Sequence, residues 1–261
     1  MKRYLSLTIA LALCFSMMTP VDCANKKKRN KNKQPANDKS LVQKVVETES
    51  SKFKVVKKYL LSVPKDYSSS SSKKWPLIMC LHGVGGRGDN IRIVAVKGIS
   101  KIIESGKKNY DDFFVISPQC KKDGWWSRDG GLEELAAIVD DVCENYKIDK
   151  SRLIITGQSM GGMGTWSMIT RYPEKFCAAA PVCGAGSPKT AKKVKHMPIW
   201  FFHGDKDKVV PHTKSLALHE ALEKAGSKSA KITIYPGIKH NCWDKTYSRE
   251  DLVSWMLEQK L

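Results

Sequence analysis

The chain has 261 residues, enough for one sizeable hydrophobic core, and its length does not demand a second domain. It carries 45 Lys and Arg against 26 Asp and Glu, a formal net charge of +19. Such a charge suits an anionic polymer as partner but is more often that of a solvated basic secreted protein, and no nucleic-acid-binding motif accompanies it, so specific nucleic-acid recognition is not expected. Lys2 and Arg3 precede an apolar stretch from Tyr4 to about Met18. That stretch is shorter than the ~20 residues of a membrane helix and has the layout of a secretory signal, which we place at residues 1–23. Asp22 argues against lipid attachment through Cys23, and no transmembrane segment is expected once the signal is removed.

Residues 24–51 begin with "ANKKKRNKNKQPANDKS", which cannot bury enough apolar surface to order itself and reads as a basic disordered tail and linker. Residues 52–261 form the expected folded domain. "FKVVKKYLLSVP" (Phe53 to Pro64) reads as an early strand, followed by a polar loop holding five consecutive serines. Then come short continuous apolar runs: "PLIMCLHG", "FFVISPQ", "RLIITGQS", "CAAAPVCG", "MPIWFFHGD" and "KITIYPG". Continuous apolar strands are buried on both faces, hence a mostly parallel sheet covered by helices. Between them, Leu132, Leu135, Ile138, Val139 and Val142 share one helical face, and a helix from Met160 to Tyr172 stops at Pro173. A third helix runs between Pro211 and Gly226, and "SREDLVSWMLEQ" opens with an approximation to a capping box. Strands alternating with helices predict an α/β doubly wound fold in a single domain, whose sites form at the carboxyl ends of strands.

The seven cysteines beyond the signal's Cys14 do not form paired C-x-x-C knuckles, so structural zinc is not expected. Export permits disulfides, whereas Cys80 and Cys177 lie in apolar runs and read as buried thiols.

The strand ending at Gln158 meets the helix starting at about Met160, so Ser159 in "GQSMGG" occupies a strand-to-helix turn with G-x-S-x-G spacing. A serine nucleophile needs a base. Of six histidines, His219 lies in a helix, His196 in a basic connector, and His82 and His203 close apolar strands before glycine. His240 follows a late strand, and nothing local demands a histidine there. The acid that would orient it is Asp205 or Asp207, in the loop after the penultimate strand. An oxyanion hole would use the amide of Met160 and one in His82–Gly86, with Val84 the leading candidate. The glycine loop lacks G-x-x-x-x-G-K-[ST], which argues against phosphate binding. Gln119, Trp125 and Trp126 fall at another strand end and Trp243 just beyond His240; each is a candidate substrate contact, with packing as the competing role. No metal constellation or cofactor motif is visible.

From about Phe53 to Leu261 the sequence resembles the esterase and dienelactone-hydrolase side of the α/β-hydrolase superfamily. The group it resembles contains compact secreted esterases and "predicted peptidases", related to feruloyl and acetyl-xylan esterases and polyhydroxybutyrate depolymerases. The carrying segments are "PLIMCLHGVGGRGDN", "VISPQCKKDGWW", "DKSRLIITGQSMGGMGTW", "FFHGDKDKVVP" and "PGIKHNCW". The resemblance implies a secreted serine esterase with Ser159, Asp207 and His240 as its triad and the amides of Val84 and Met160 as its oxyanion hole. It selects Asp207 over Asp205 through H-G-x-x-D-x-x-V-P and implies a small or polysaccharide-linked ester as substrate, with no cofactor. The cysteine pair that some feruloyl esterases and tannases place beside nucleophile and histidine is not reproduced at Gln158. No long lid insertion interrupts these segments, so short or soluble esters are expected. The competing readings are a prolyl-oligopeptidase-type serine peptidase and a non-catalytic protein binding an anionic polymer through its basic tail.

Overall fold

A computed structural model describes residues 42–49 and 51–261; the signal segment and most of the basic tail lie outside them. In chain order the elements are β1 (Lys44–Glu47), β2 (Val56–Ser62), β3 (Trp75–Leu81), a 3-10 turn (Val84–Gly86), α1 (Arg92–Ala95), α2 (Gly98–Glu104), β4 (Phe114–Cys120) and α3 (Gly131–Asn145). There follow β5 (Ile148–Gln158), α4 (Met160–Arg171), β6 (Ala178–Val182), a 3-10 segment (Pro188–Val194), β7 (Ile199–Gly204), α5 (Thr213–Lys224), β8 (Ala230–Tyr235), α6 (Trp243–Tyr247) and α7 (Glu250–Glu258).

The eight strands form one sheet in the order β1-β2-β4-β3-β5-β6-β7-β8. β1 and β2 join antiparallel at one edge, and β3 through β8 run parallel. Every residue of β3, β4 and β6 is buried, as a sheet covered on both faces requires. Along β3 the side chains alternate between two cores. Leu77, Met79 and Leu81 pack with Leu135 and Val139 of α3 and Trp166 and Ile169 of α4. Ile78 and Cys80 pack on the other face with Ile99 and Ile102 of α2 and Leu252, Trp255 and Met256 of α7.

Two expectations change. The linker assigned to residues 24–51 ends earlier, because Lys44–Glu47 pairs with β2 in the register Lys44↔Leu61. Val45 packs against the cluster of Leu60, Ile91, Val94 and Ala95. Buried Gln43 exchanges hydrogen bonds with Ser100 and donates to Glu104. Those distant partners order a segment whose own composition is too polar to do so. The capping box at Ser248 does not form either. Ser248 closes α6, Arg249 stands at the start of α7 without capping it, and Asp251 pairs with Arg249 instead.

The apolar face of α3 also carries a charge. Glu134 is buried, and its carboxylate accepts from the amides of Lys54, Val55 and Val56 at the start of β2. Three successive amides where the chain enters β2 are thereby satisfied by one side chain, which joins α3 to the sheet. Truncating it strands buried donors, each costing about 1–3 kcal/mol. Glu134→Ala is therefore expected to lower unfolding stability by roughly 3 kcal/mol or more, read as a fall in the urea midpoint; a loss below about 1 kcal/mol would contradict this role.

Candidate active site

Only Ser159 separates β5 from α4, and its backbone lies at φ 56°, ψ −117°, a sparsely populated region that costs on the order of 1–3 kcal/mol. Neighbours hold it there. Its amide donates to the Val182 carbonyl at 2.9 Å, and its own carbonyl accepts from Met163 at 3.0 Å. The turn is tight enough that a Cβ on Gly161 would run into the Leu81 carbonyl, and one on Gly157 into the Gly161 carbonyl. Glycine at both positions lets α4 start directly against β3.

Ser159 Oγ lies 2.9 Å from His240 Nε2, and His240 Nδ1 lies 2.6 Å from Asp207 Oδ2. The Asp207 side chain is fully buried, while that of His240 is 19% exposed. Asp207 Oδ1 accepts from the amides of Val209 and Val210 at 2.8 and 2.9 Å. Burial alone would raise this carboxyl, but the His240 contact and the two amides outweigh it and hold it below the usual carboxylate range. With Asp207 ionised, Nδ1 of His240 carries the proton and Nε2 presents its lone pair to the serine hydroxyl.

The two acids in "HGDKD" have different tasks. Asp205 Oδ1 accepts from the Gly237 amide at 2.7 Å and so ties the β7 loop to the turn after β8. The Lys206 amide donates to the Ile238 carbonyl at 2.9 Å, and a side chain on Gly204 would strike that same carbonyl. These contacts bring the loop carrying His240 over Asp207.

On the other side of Ser159 stands the loop after β3. A Cβ on Gly83 would lie 3.3 Å from both the Gln158 carbonyl and Ser159 Cβ. Val84 and Met160 are each the first residue of a helical turn, where the amide has no partner within the turn. Among the described residues neither amide donates to a carbonyl elsewhere in the backbone. Val84 is 46% exposed. His82 braces this loop: Nδ1 donates to the Gly83 carbonyl at 2.6 Å and Nε2 accepts from the Cys120 amide at 3.0 Å. Its burial, reinforced by Lys97 and Arg87 and only partly opposed by the Gly83 carbonyl, pushes its pKa down to about 4, so the imidazole is neutral.

Of the four candidate substrate contacts, the structure moves two into the scaffold. Gln119 is buried and donates to the carbonyls of Gly86 and Asn90, and fully buried Trp126 donates to the His82 carbonyl. Both anchor the glycine loop from behind, because its carbonyls need donors that no strand supplies. Trp125 is half-buried and packs on the core, with the Arg128 guanidinium 5.7 Å from its ring centre. Trp243 alone of the four meets His240, edge-on to its ring at 5.6 Å between centres.

Trp166 is core, and Cys80 and Cys177 are buried thiols. All six described cysteines are free. Among the described residues no cluster of three or more His, Cys, Asp or Glu could hold a metal ion, and no helix is long and apolar enough to cross a membrane. His203, read from sequence as a strand-closing residue, contacts Asp207 directly. Its signal was the repeated H-G pair at two strand ends, shared with His82.

A crystal structure of a thermostable esterase superposes with a TM-score of 0.71 at 29% identity, covering 85% of this chain and 64% of that one. The sheet order, the flanking helices and this likeness are those of the α/β-hydrolase fold. Among curated proteins, a bifunctional acetylxylan esterase/xylanase of Neocallimastix patriciarum is 33% identical over 76 residues, 29% of this chain and 11% of that protein. A probable feruloyl esterase C of Aspergillus niger is 26% identical over 197 residues, 73% of this chain and 69% of that one. The chain thus spans about a tenth of the first relative and about two thirds of the second. The family model described as "Dienelactone hydrolase family" matches residues 115–251, more than half of the sequence and including Ser159, Asp207 and His240, and the chain belongs to that family.

Proposed function

We propose that the protein is a secreted serine hydrolase that cleaves carboxylic esters through an acyl-enzyme. The observation that carries this reading is the unbroken relay Ser159–His240–Asp207 beside two amides, Val84 and Met160, that have no backbone partner among the described residues. His240 Nε2 takes the proton of Ser159 as Oγ attacks the ester carbonyl, and buried Asp207 stabilises the imidazolium that results. The oxyanion forms where the two amides point, and its collapse expels the alcohol with the proton from His240. Water, deprotonated by His240, then attacks the acyl-enzyme and frees Ser159 and the carboxylic acid. Every proton is returned, and no redox partner or metal enters these steps.

The relatives' names, acetylxylan and feruloyl esterase, support small or polysaccharide-linked esters as the substrate class. Secretion is supported by the signal-like layout of residues 1–23, and the basic tail of residues 24–40 suits an anionic polymer near the substrate. The peptidase reading has no observation of its own, since its structural neighbours are 16% identical and share the fold alone.

Two variants test the reading. Ser159→Ala is expected to reduce p-nitrophenyl acetate hydrolysis to the uncatalysed background and abolish fluorophosphonate labelling, with the thermal midpoint unchanged. Full activity in that variant would overturn the assignment. Val84→Pro deletes one amide donor while keeping a helix-compatible first residue after an extended Gly83 (φ −76°, ψ 178°). It is expected to lower kcat by about 10²–10³ with KM little changed. An unaltered kcat would remove Val84 from the oxyanion hole.

A further inference from the structure

Asp207 is held by two histidines. Besides His240 Nδ1, its Oδ2 lies 3.0 Å from Nε2 of His203, which is fully buried at the end of β7. The same Nε2 lies 2.8 Å from the Val210 carbonyl. Both neighbours of this nitrogen accept hydrogen bonds and neither can donate, so Nε2 must carry a proton. On the far side of the ring, Nδ1 is 2.7 Å from Oγ of Ser215 on α5, whose hydroxyl also lies 3.4 Å from the Gly184 carbonyl. Burial holds the His203 imidazole below its usual range even though the Val210 carbonyl and Asp207 pull it upward, so the ring is neutral. A neutral ring with Nε2–H leaves Nδ1 as an acceptor, and the Ser215 hydroxyl donates to it.

We infer that His203, with Ser215 behind it, is a positioning residue for the triad: its neutral Nε2–H shares Asp207 Oδ2 with His240 and so limits how strongly that carboxylate draws on the His240 proton. The inference rests on the proposed role of Ser159, Asp207 and His240. A carboxylate oxygen that serves one neutral donor has less negative charge to offer a second. Removing the His203 donor therefore leaves Asp207 free to draw on the His240 proton more strongly, which moves the acid limb of the activity profile to higher pH. It also loosens the carboxylate, which is then held by the Val209 and Val210 amides on Oδ1 and by His240 itself on Oδ2.

The other groups facing this cluster come from several elements. His212 precedes α5 and bears on His203. The buried thiols of Cys183, after β6, and Cys242, before α6, bear on Asp207. Lys206, Lys208 and Lys239 flank Asp207 and His240 in sequence and are exposed to solvent. All of these stay in place in the variants below.

The test compares kcat/KM against pH for p-nitrophenyl acetate in wild type, His203→Leu and His203→Gln. The Leu variant removes the donor; the Gln variant restores an N–H near the position of Nε2. In the Leu variant the acid limb is expected to move up by about half to one pH unit. Its kcat/KM above the limb is expected to fall about ten- to a hundred-fold. His203→Gln is expected to return the limb to its wild-type position. A Leu variant that loses activity with an unmoved limb would reduce His203 to a structural role and overturn the inference, as would failure of Gln to restore the limb. Nitrogen-15 NMR of histidine-labelled wild type checks the same point without relying on a variant to fold. His203 should remain the neutral Nε2–H tautomer while His240 titrates; an Nδ1–H tautomer, or an imidazolium forming together with His240, would overturn it. A wild type inert to both ester and fluorophosphonate would overturn the catalytic reading and this inference with it, whereas an active wild type with an unmoved limb overturns the inference alone.

Discussion

The backbone of Ser159 cannot adopt φ 56° by its own preference, and everything in the site depends on the packing that holds it there. β3 and β6 grip the turn from both sides. The Leu81 carbonyl lies where a side chain on Gly161 would be, and the Val182 carbonyl takes the Ser159 amide. Parallel pairing sets the carboxyl ends of these strands level, with Leu81 opposite Gly157 and Gln158 opposite Val182. The loop leaving β3 therefore passes beside the serine, with Gly83 seated against Gln158 and Ser159. The strain at one residue and the nearness of the glycine loop have a single cause, which is the close seating of α4 on the sheet.

Around that turn, buried polar side chains fasten one loop to another. A polar group inside the protein is costly unless paired, and here each pairing fixes a backbone segment. The two H-G pairs work alike. His82 and His203 are both buried and neutral, but with opposite tautomers: His82 donates from Nδ1 to the Gly83 carbonyl, and His203 donates from Nε2 to Asp207. The glycine after each histidine admits a close neighbour, the Gln158 carbonyl and the Ser159 side chain at Gly83 and the backbone of Ile238 and Lys239 at Gly204. Gln119 and Trp126 brace the first loop, and Asp205 ties the second to the turn that carries His240.

Much of the fold was legible because the strands are continuous apolar runs whose burial follows from hydrophobicity alone. β1 was not, since "KVVE" is short and follows a polar tract, and its order comes from Gln43 bonding to α2 and Val45 packing under α1. Glu134 escaped notice for a related reason. In a helix pattern a glutamate reads as solvated, and nothing local says that three strand amides wait above it. Within the site, the turn at Ser159 and the strand ends bearing Asp207 and His240 could be read along the chain. The placement of Gln119 and Trp126 could not, because a polar or aromatic residue at a strand end can line a cleft or anchor the adjoining loop. Only burial distinguishes the two.

By itself the sequence determined where strands end, where glycine makes room for a sharp turn, and in what order a serine, two acids and a histidine reach the same edge of the sheet. These are local properties of side-chain size and hydrophobicity. Local residue properties left Asp205 and Asp207 equal and a family resemblance chose Asp207; the tertiary structure shows the contact itself, which histidine stands behind that acid, and which strand-end residues turn inward. Ser159 and His240 are 81 residues apart and Asp207 and His240 are 33 apart, so their contacts depend on sheet register and on loops fastened by buried hydrogen bonds. Asp205 and Asp207 differ by two positions and share one chemistry; the packing of the β8 turn against Gly204 is what separates a loop tie from a member of the relay.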